Sequence, residues 1–131
     1  MNIFHLAIPT HNISEAKKFY VEGLGAEVGR EYSDYVIFNF YGTQLVCHRD
    51  EVDLNAKPTI YPRHFGIIFD QKGEFDRAYE KAKSSKLKFH NDAFERFSNT
   101  PAAHNSFFLR DPSNNLIEFK FYQSADNIFS K

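Results

Sequence analysis

The chain has 131 residues, 42% hydrophobic and 17% aromatic, with 15 Phe and 7 Tyr; that apolar content suits one domain with a packed core and excludes a disordered chain. Its 16 basic and 17 acidic residues leave a formal charge of −1, which gives a polyanion nothing to bind and argues against nucleic acid as a partner. No apolar run reaches the roughly 20 residues of a membrane span, the opening MNIFHLAIPT is unlike a secretory leader, and the single cysteine, Cys47, cannot form an internal disulfide, so a cytoplasmic, reducing setting is expected.

Residues 2–9, NIFHLAIP, read as a strand with Phe4, Leu6 and Ile8 on one face and Ile3, His5 and Ala7 on the other. Asn12 or Ser14 caps a helix predicted over 14–24, with Ala16, Phe19, Tyr20 and Leu24 at helical spacing and Gly23 and Gly25 closing it. Three strands follow, at 26–32, 34–41 and 43–49, separated by turns at Ser33-Asp34 and Gly42-Thr43. The polar stretch 50–62 carries two prolines and reads as a connector. The order then restarts. A strand at 63–69 precedes a helix over 73–87 with Phe75, Ala78, Tyr79 and Ala82 on one side. KFHNDAFERF, HNSFFLR and LIEFKFY supply three more strands; 99–105 reads as a mobile turn and 123–131 as a loose tail.

The chain is therefore expected to be one α+β domain of two βαβββ modules, about 2–50 and 63–122. A weak internal repeat agrees. A shift of 59 positions lays His5 on His64, Ile8 on Ile67, Glu15 on Glu74 and Tyr20 on Tyr79.

Alternation along the strands places three ligand-type residues on the less bulky faces. His5 shares its face with Ile3 and Ala7, His64 with Gly66 and Ile68, and Glu118 with Leu116 and Lys120. Two imidazoles and a carboxylate suit a divalent metal and leave positions open for a bound molecule. A metal also explains a carboxylate between Ile117 and Phe119, which needs a partner, a proton or solvent. The competing reading makes each histidine a hydrogen-bonded strand residue and pairs Glu118 with Lys120 or Arg110.

Four segments carry a family resemblance: FHLAIP, KKFYVEGLGAEVGR, RHFGIIF and FFLRDPSNNLIEF. The chain resembles the vicinal oxygen chelate superfamily, which includes glyoxalase I, fosfomycin-resistance thiol transferases, bleomycin-resistance proteins and extradiol dioxygenases. The resemblance spans 2–122 and is nearest the branch of extradiol-type dioxygenases. It implies two modules curling into a half-barrel with helices on the convex side. It implies His5, His64 and Glu118 as ligands of a divalent metal, Fe(II) favoured and Mn(II), Ni(II) or Zn(II) as alternatives. Val46 stands where glyoxalase I has a fourth ligand, and Asn114 stands where the family has Gly; asparagine tolerates the same left-handed turn.

A small oxygen-chelating substrate follows from the resemblance, with O2 as co-substrate in the dioxygenase case. His48 is the candidate acid/base group. Gln44, Tyr122 and Arg110 are candidate substrate-binding residues, with Arg110 alternatively stabilising its turn. Metal-free sequestration of a small molecule, and metal-assisted isomerisation, lysis or thiol transfer, are the competing functions. A homodimer is expected from the family's habit. His104 is read as a solvated loop residue, with closure of its segment over the cavity as the alternative, and Cys47 as a small core residue.

Overall fold

The computed structural model describes residues 1–131. The first module contains β1 (His5–Thr10), α1 (Ile13–Lys17), β2 (Glu27–Glu31), β3 (Tyr35–Phe40) and β4 (Thr43–Arg49). The second contains β5 (Phe65–Phe69), α2 (Lys72–Ser84), β6 (Phe89–Arg96), β7 (His104–Arg110) and β8 (Leu116–Tyr122). Each module folds into a four-stranded sheet, in the orders β1-β4-β3-β2 and β5-β8-β7-β6. The helical crossover lets the first strand run parallel to the last, while hairpins make the other pairings antiparallel. β1 and β5 are consequently edge strands.

Asn12 caps α1, its side-chain oxygen accepting the Glu15 amide at 3.0 Å. The helix then widens without a break into a π-helical segment, Lys18–Gly23, which buries Phe19 and Tyr20. Gly25 and Ala26 amides bond back to the Val21 and Tyr20 carbonyls and end it. On α2, Phe75, Ala78 and Ala82 are buried, as their spacing predicts. Tyr79 is only half-buried, and its hydroxyl donates to Asp92 at 2.7 Å.

The helix-facing sides of both sheets meet in one core. Phe38, Phe40 and Tyr20 pack in the first module, and Phe69, Phe75, Phe107 and Phe119 in the second. Phe40 and Tyr41 of the first module meet Phe119 and Phe69 of the second edge to face. Cys47 is fully buried here, and burial pushes its thiol well up, which makes it inert.

Polar ties also join the modules around the turn between β7 and β8. Tyr20 donates to the Asp111 carboxylate at 2.7 Å, and Asn115 Nδ2 to the Pro9 carbonyl at 3.0 Å. The Ser113 hydroxyl lies 3.3 Å from that of Thr10 and 2.7 Å from His11 Nδ1. Asp111 also accepts the amides of Ser113 and Asn115 and the Asn115 side chain. Burial raises its carboxyl pKa, and these donors offset part of the rise. Asn114 takes the left-handed conformation expected of it, with φ 67°.

Candidate functional site

The structure brings two of the three sequence-predicted ligands together. In β5 and β8 the register sets Gly66 opposite Glu118. Glu118 lies on the face away from the core, yet its side chain is only 6% exposed. His64 stands one residue before β5 and reaches back, its Nε2 3.2 Å from Glu118 Oε1. The ring is fixed from the other side, where Nδ1 donates to the Ile60 carbonyl at 2.6 Å. A carbonyl can only accept, so Nδ1 carries the proton. Nε2 meets the carboxylate oxygen within hydrogen-bonding distance, and a proton or a metal ion between the two satisfies both. Ser106 donates to Glu118 Oε2 at 2.8 Å, and Lys120 Nζ lies 3.5 Å from Oε1. The pocket over this pair holds about 210 Å³ and is lined by His64, Gly66, Ile68, Glu118 and Lys120.

His5 does not join them. No three His, Cys, Asp or Glu side chains of the chain are grouped so as to hold a metal. His5 is exposed on β1, opposite Gln44 of β4, and its Nδ1 meets the Gln44 side-chain oxygen at 2.8 Å. Both histidines share one preparation: Nδ1 donates to an oxygen acceptor, which fixes the ring and aims Nε2 the other way. That is how ligand histidines are oriented.

The register shows what stands at the carboxylate's place in the first module. Val46 lies opposite Ala7 in β1 and β4, as Glu118 lies opposite Gly66 in β5 and β8. Val46 is the structural counterpart of Glu118, and it is an apolar, buried one.

The remaining sequence-predicted residues are dispersed. Gln44 orients His5. His48 shares that face but lies four residues along β4, about 13 Å away, with its ring 5.2 Å from that of Tyr35. Tyr122 lies four residues beyond Glu118 and packs on His104 at 4.6 Å. Arg110 bonds Asn114 at 2.8 Å and the Ala56 carbonyl at 3.0 Å, the turn-stabilising arrangement. It lines a cavity of about 790 Å³ with Lys18, Lys86 and Lys88, away from the His64–Glu118 pair.

Sequence reasoning missed several residues around the pair. His104 is buried at the start of β7 rather than solvated in a loop, with Nδ1 bonded to the Ala102 carbonyl at 2.9 Å. Ser106 and Phe108 follow it at strand spacing on the Glu118 face, Phe108 with its ring 5.2 Å from that of His64. The alternation of His104, Ser106 and Phe108 was the available signal; the register that seats them beside Glu118 was not.

The comparisons bear on this geometry. A model of the "Glyoxalase/Bleomycin resistance protein/Dioxygenase superfamily" matches residues 2–119. A crystal structure of a glyoxalase/bleomycin resistance protein/dioxygenase from Alicyclobacillus acidocaldarius is 43% identical, with a TM-score of 0.92 over 98% of this chain and 96% of that one. Lactoylglutathione lyase from Agrobacterium tumefaciens shares the fold at 19% identity and TM-score 0.67, covering 92% of each chain. The fosfomycin resistance protein FosX from Listeria monocytogenes does so at 16% identity and TM-score 0.71, covering 98% of each. Curated protein sequences give no match. No helix is long and apolar enough to cross a membrane. With its repeated module, its family-model match across nearly the whole length and a 43% identical relative of the same shape, this chain belongs to the glyoxalase/bleomycin resistance protein/dioxygenase superfamily.

Proposed function

We propose that the protein is a metal-dependent enzyme acting on a small oxygen-chelating molecule, with extradiol-type ring cleavage as the specific reaction. The observation that carries this is the His64–Glu118 pair: an imidazole pinned through Nδ1, its Nε2 3.2 Å from a largely buried carboxylate oxygen. One imidazole nitrogen and one carboxylate oxygen fit Fe(II), Mn(II), Ni(II) or Zn(II), with Fe(II) favoured for oxygen chemistry. When bound, such a metal supplies a Lewis-acid centre and, as Fe(II), a means of activating O2.

A third donor is needed, and a second copy of the chain is its source in this reading. His5 is prepared like His64 but sits exposed on an edge strand, beside Ile3 and Phe4, which are 66% exposed each. Ile68 is exposed on the other edge strand, β5. Two-fold pairing of such edges places the His5 of one copy over the His64–Glu118 pair of the other, twice over. Phe108 and Ser106 then form the wall beside the bound molecule, and Ser106 holds the Glu118 carboxylate in place. His48 and Tyr122, each about 13 Å along its face, serve the far end of that molecule.

The test is metal content of protein purified without oxygen or chelators. Wild type is expected to hold about one equivalent per chain, and His64→Ala, Glu118→Gln and His5→Ala to lose most of it. Mixing His5→Ala with His64→Ala by refolding together gives half mixed dimers, each with one intact site of two. Metal content is therefore expected to recover to about a quarter of wild type. No recovery would sink the shared site. No transition metal in wild type would favour sequestration of a small molecule instead.

A further inference from the structure

Glu118 Oε1 is approached by two nitrogens. His64 Nε2 lies 3.2 Å away and Lys120 Nζ 3.5 Å away. Lys120 is two residues on in β8, so strand alternation puts it on the same face. Its side chain is 28% exposed, partly withdrawn from solvent. The other carboxylate oxygen, Oε2, is occupied by the Ser106 hydroxyl. Arg96 feels the Glu118 charge across space, but its direct contacts are with the Tyr61 hydroxyl at 3.3 Å and the Phe97 ring. Lys120 is thus the one fixed positive charge that touches Glu118.

A cation held by His64 Nε2 and Glu118 Oε1 must come to the oxygen that Lys120 already pairs with. Two positive charges on one oxygen repel, and in a half-buried pocket little solvent screens them. We propose that Lys120 is a built-in competitor of the metal: its ammonium occupies Glu118 in the metal-free chain and must leave for the metal to bind. This rests on the metal reading above and adds the residue that sets how tightly the metal is held. Displaced from Glu118, the ammonium stays tethered within two residues of it, on the face where a substrate lies. There it is a ready partner for an anionic oxygen of the bound molecule.

The proposal predicts opposite signs for two measurements on one variant. Lys120→Leu keeps the apolar stem and removes the charge. Metal-free Lys120→Leu is expected to melt below wild type, because Glu118 loses its cation. The same variant is expected to bind Mn(II), titrated calorimetrically into metal-free protein, about five- to tenfold more tightly. Lys120→Arg keeps a cation and should bind Mn(II) within about twofold of wild type. A lysine that merely supported the fold would weaken Mn(II) binding when replaced, and that result overturns the proposal. Equal Mn(II) affinity in wild type and Lys120→Leu also overturns it while leaving the metal site standing. Absence of Mn(II) binding in both, unaltered by Glu118→Gln, removes the metal site itself and this inference with it.

Discussion

Gly66→Ala is expected to lower stability by about 3 kcal/mol or more and to dismantle the His64–Glu118 pair. A Cβ at position 66 would stand 1.7 Å from the Glu118 carbonyl oxygen and 2.7 Å from its carbonyl carbon. These are backbone atoms of the neighbouring strand, so no rotamer change relieves the overlap. β5 must move off β8, and Glu118 is the residue directly opposite. Loss of stability is read from urea unfolding, and displacement of the pair from metal content at a temperature where the variant remains folded. A loss under about 1 kcal/mol would mean that the strands do not approach this closely in solution. Alanine occupies the equivalent place in the first module, where Ala7 faces Val46 without such an encroachment.

Asp111→Ala is the second large effect, expected at about 3–4 kcal/mol. The carboxylate accepts hydrogen bonds from the Tyr20 hydroxyl, the Ser113 and Asn115 amides and the Asn115 side chain. Tyr20 is fully buried, so its hydroxyl has no water to turn to. Each buried donor left without a partner costs about 1–3 kcal/mol, and a methyl also leaves a void. Tyr20→Phe removes one of these bonds while keeping the ring, and should cost only about 1–2 kcal/mol. The double variant should lose less than the sum, because both changes break the same bond. Additive losses in a double-mutant cycle would show that Tyr20 and Asp111 do not act together across the modules.

The architecture was legible because its signals are local. Apolar, aromatic-rich runs beside turn signals marked HNSFFLR and LIEFKFY, whose predicted limits match β7 and β8. The glycines after the first helix and Asn12 before it marked its ends, although nothing in KKFYVEG announces the π-helical winding. Asn114 adopts the turn conformation that its short amide side chain permits. What pattern could not give was placement across the chain. The shift of 59 correctly made His5 and His64 counterparts, but counterpart positions in two modules need not be neighbours in one chain. His5 and His64 fall on separate sheets, and the partners that surround Glu118 depend on strand register and on the reach of Lys120. Arg110 illustrates the same limit: its charge drew attention, while its hydrogen bonds to Asn114 and Ala56 close a turn and hold the connector.

The mismatch between Ala7–Val46 and Gly66–Glu118 has a consequence for how the two halves tolerate change. A saturation scan should find positions 7 and 46 permissive to any small or medium apolar side chain, since Ala7 is exposed and Val46 only fills space. Positions 66 and 118 should accept almost nothing, the one because a neighbouring backbone fills its side-chain volume, the other because it alone supplies an acidic oxygen. A duplicated architecture would then carry sharply unequal mutational freedom, with drift open to one copy of the motif and closed to its twin.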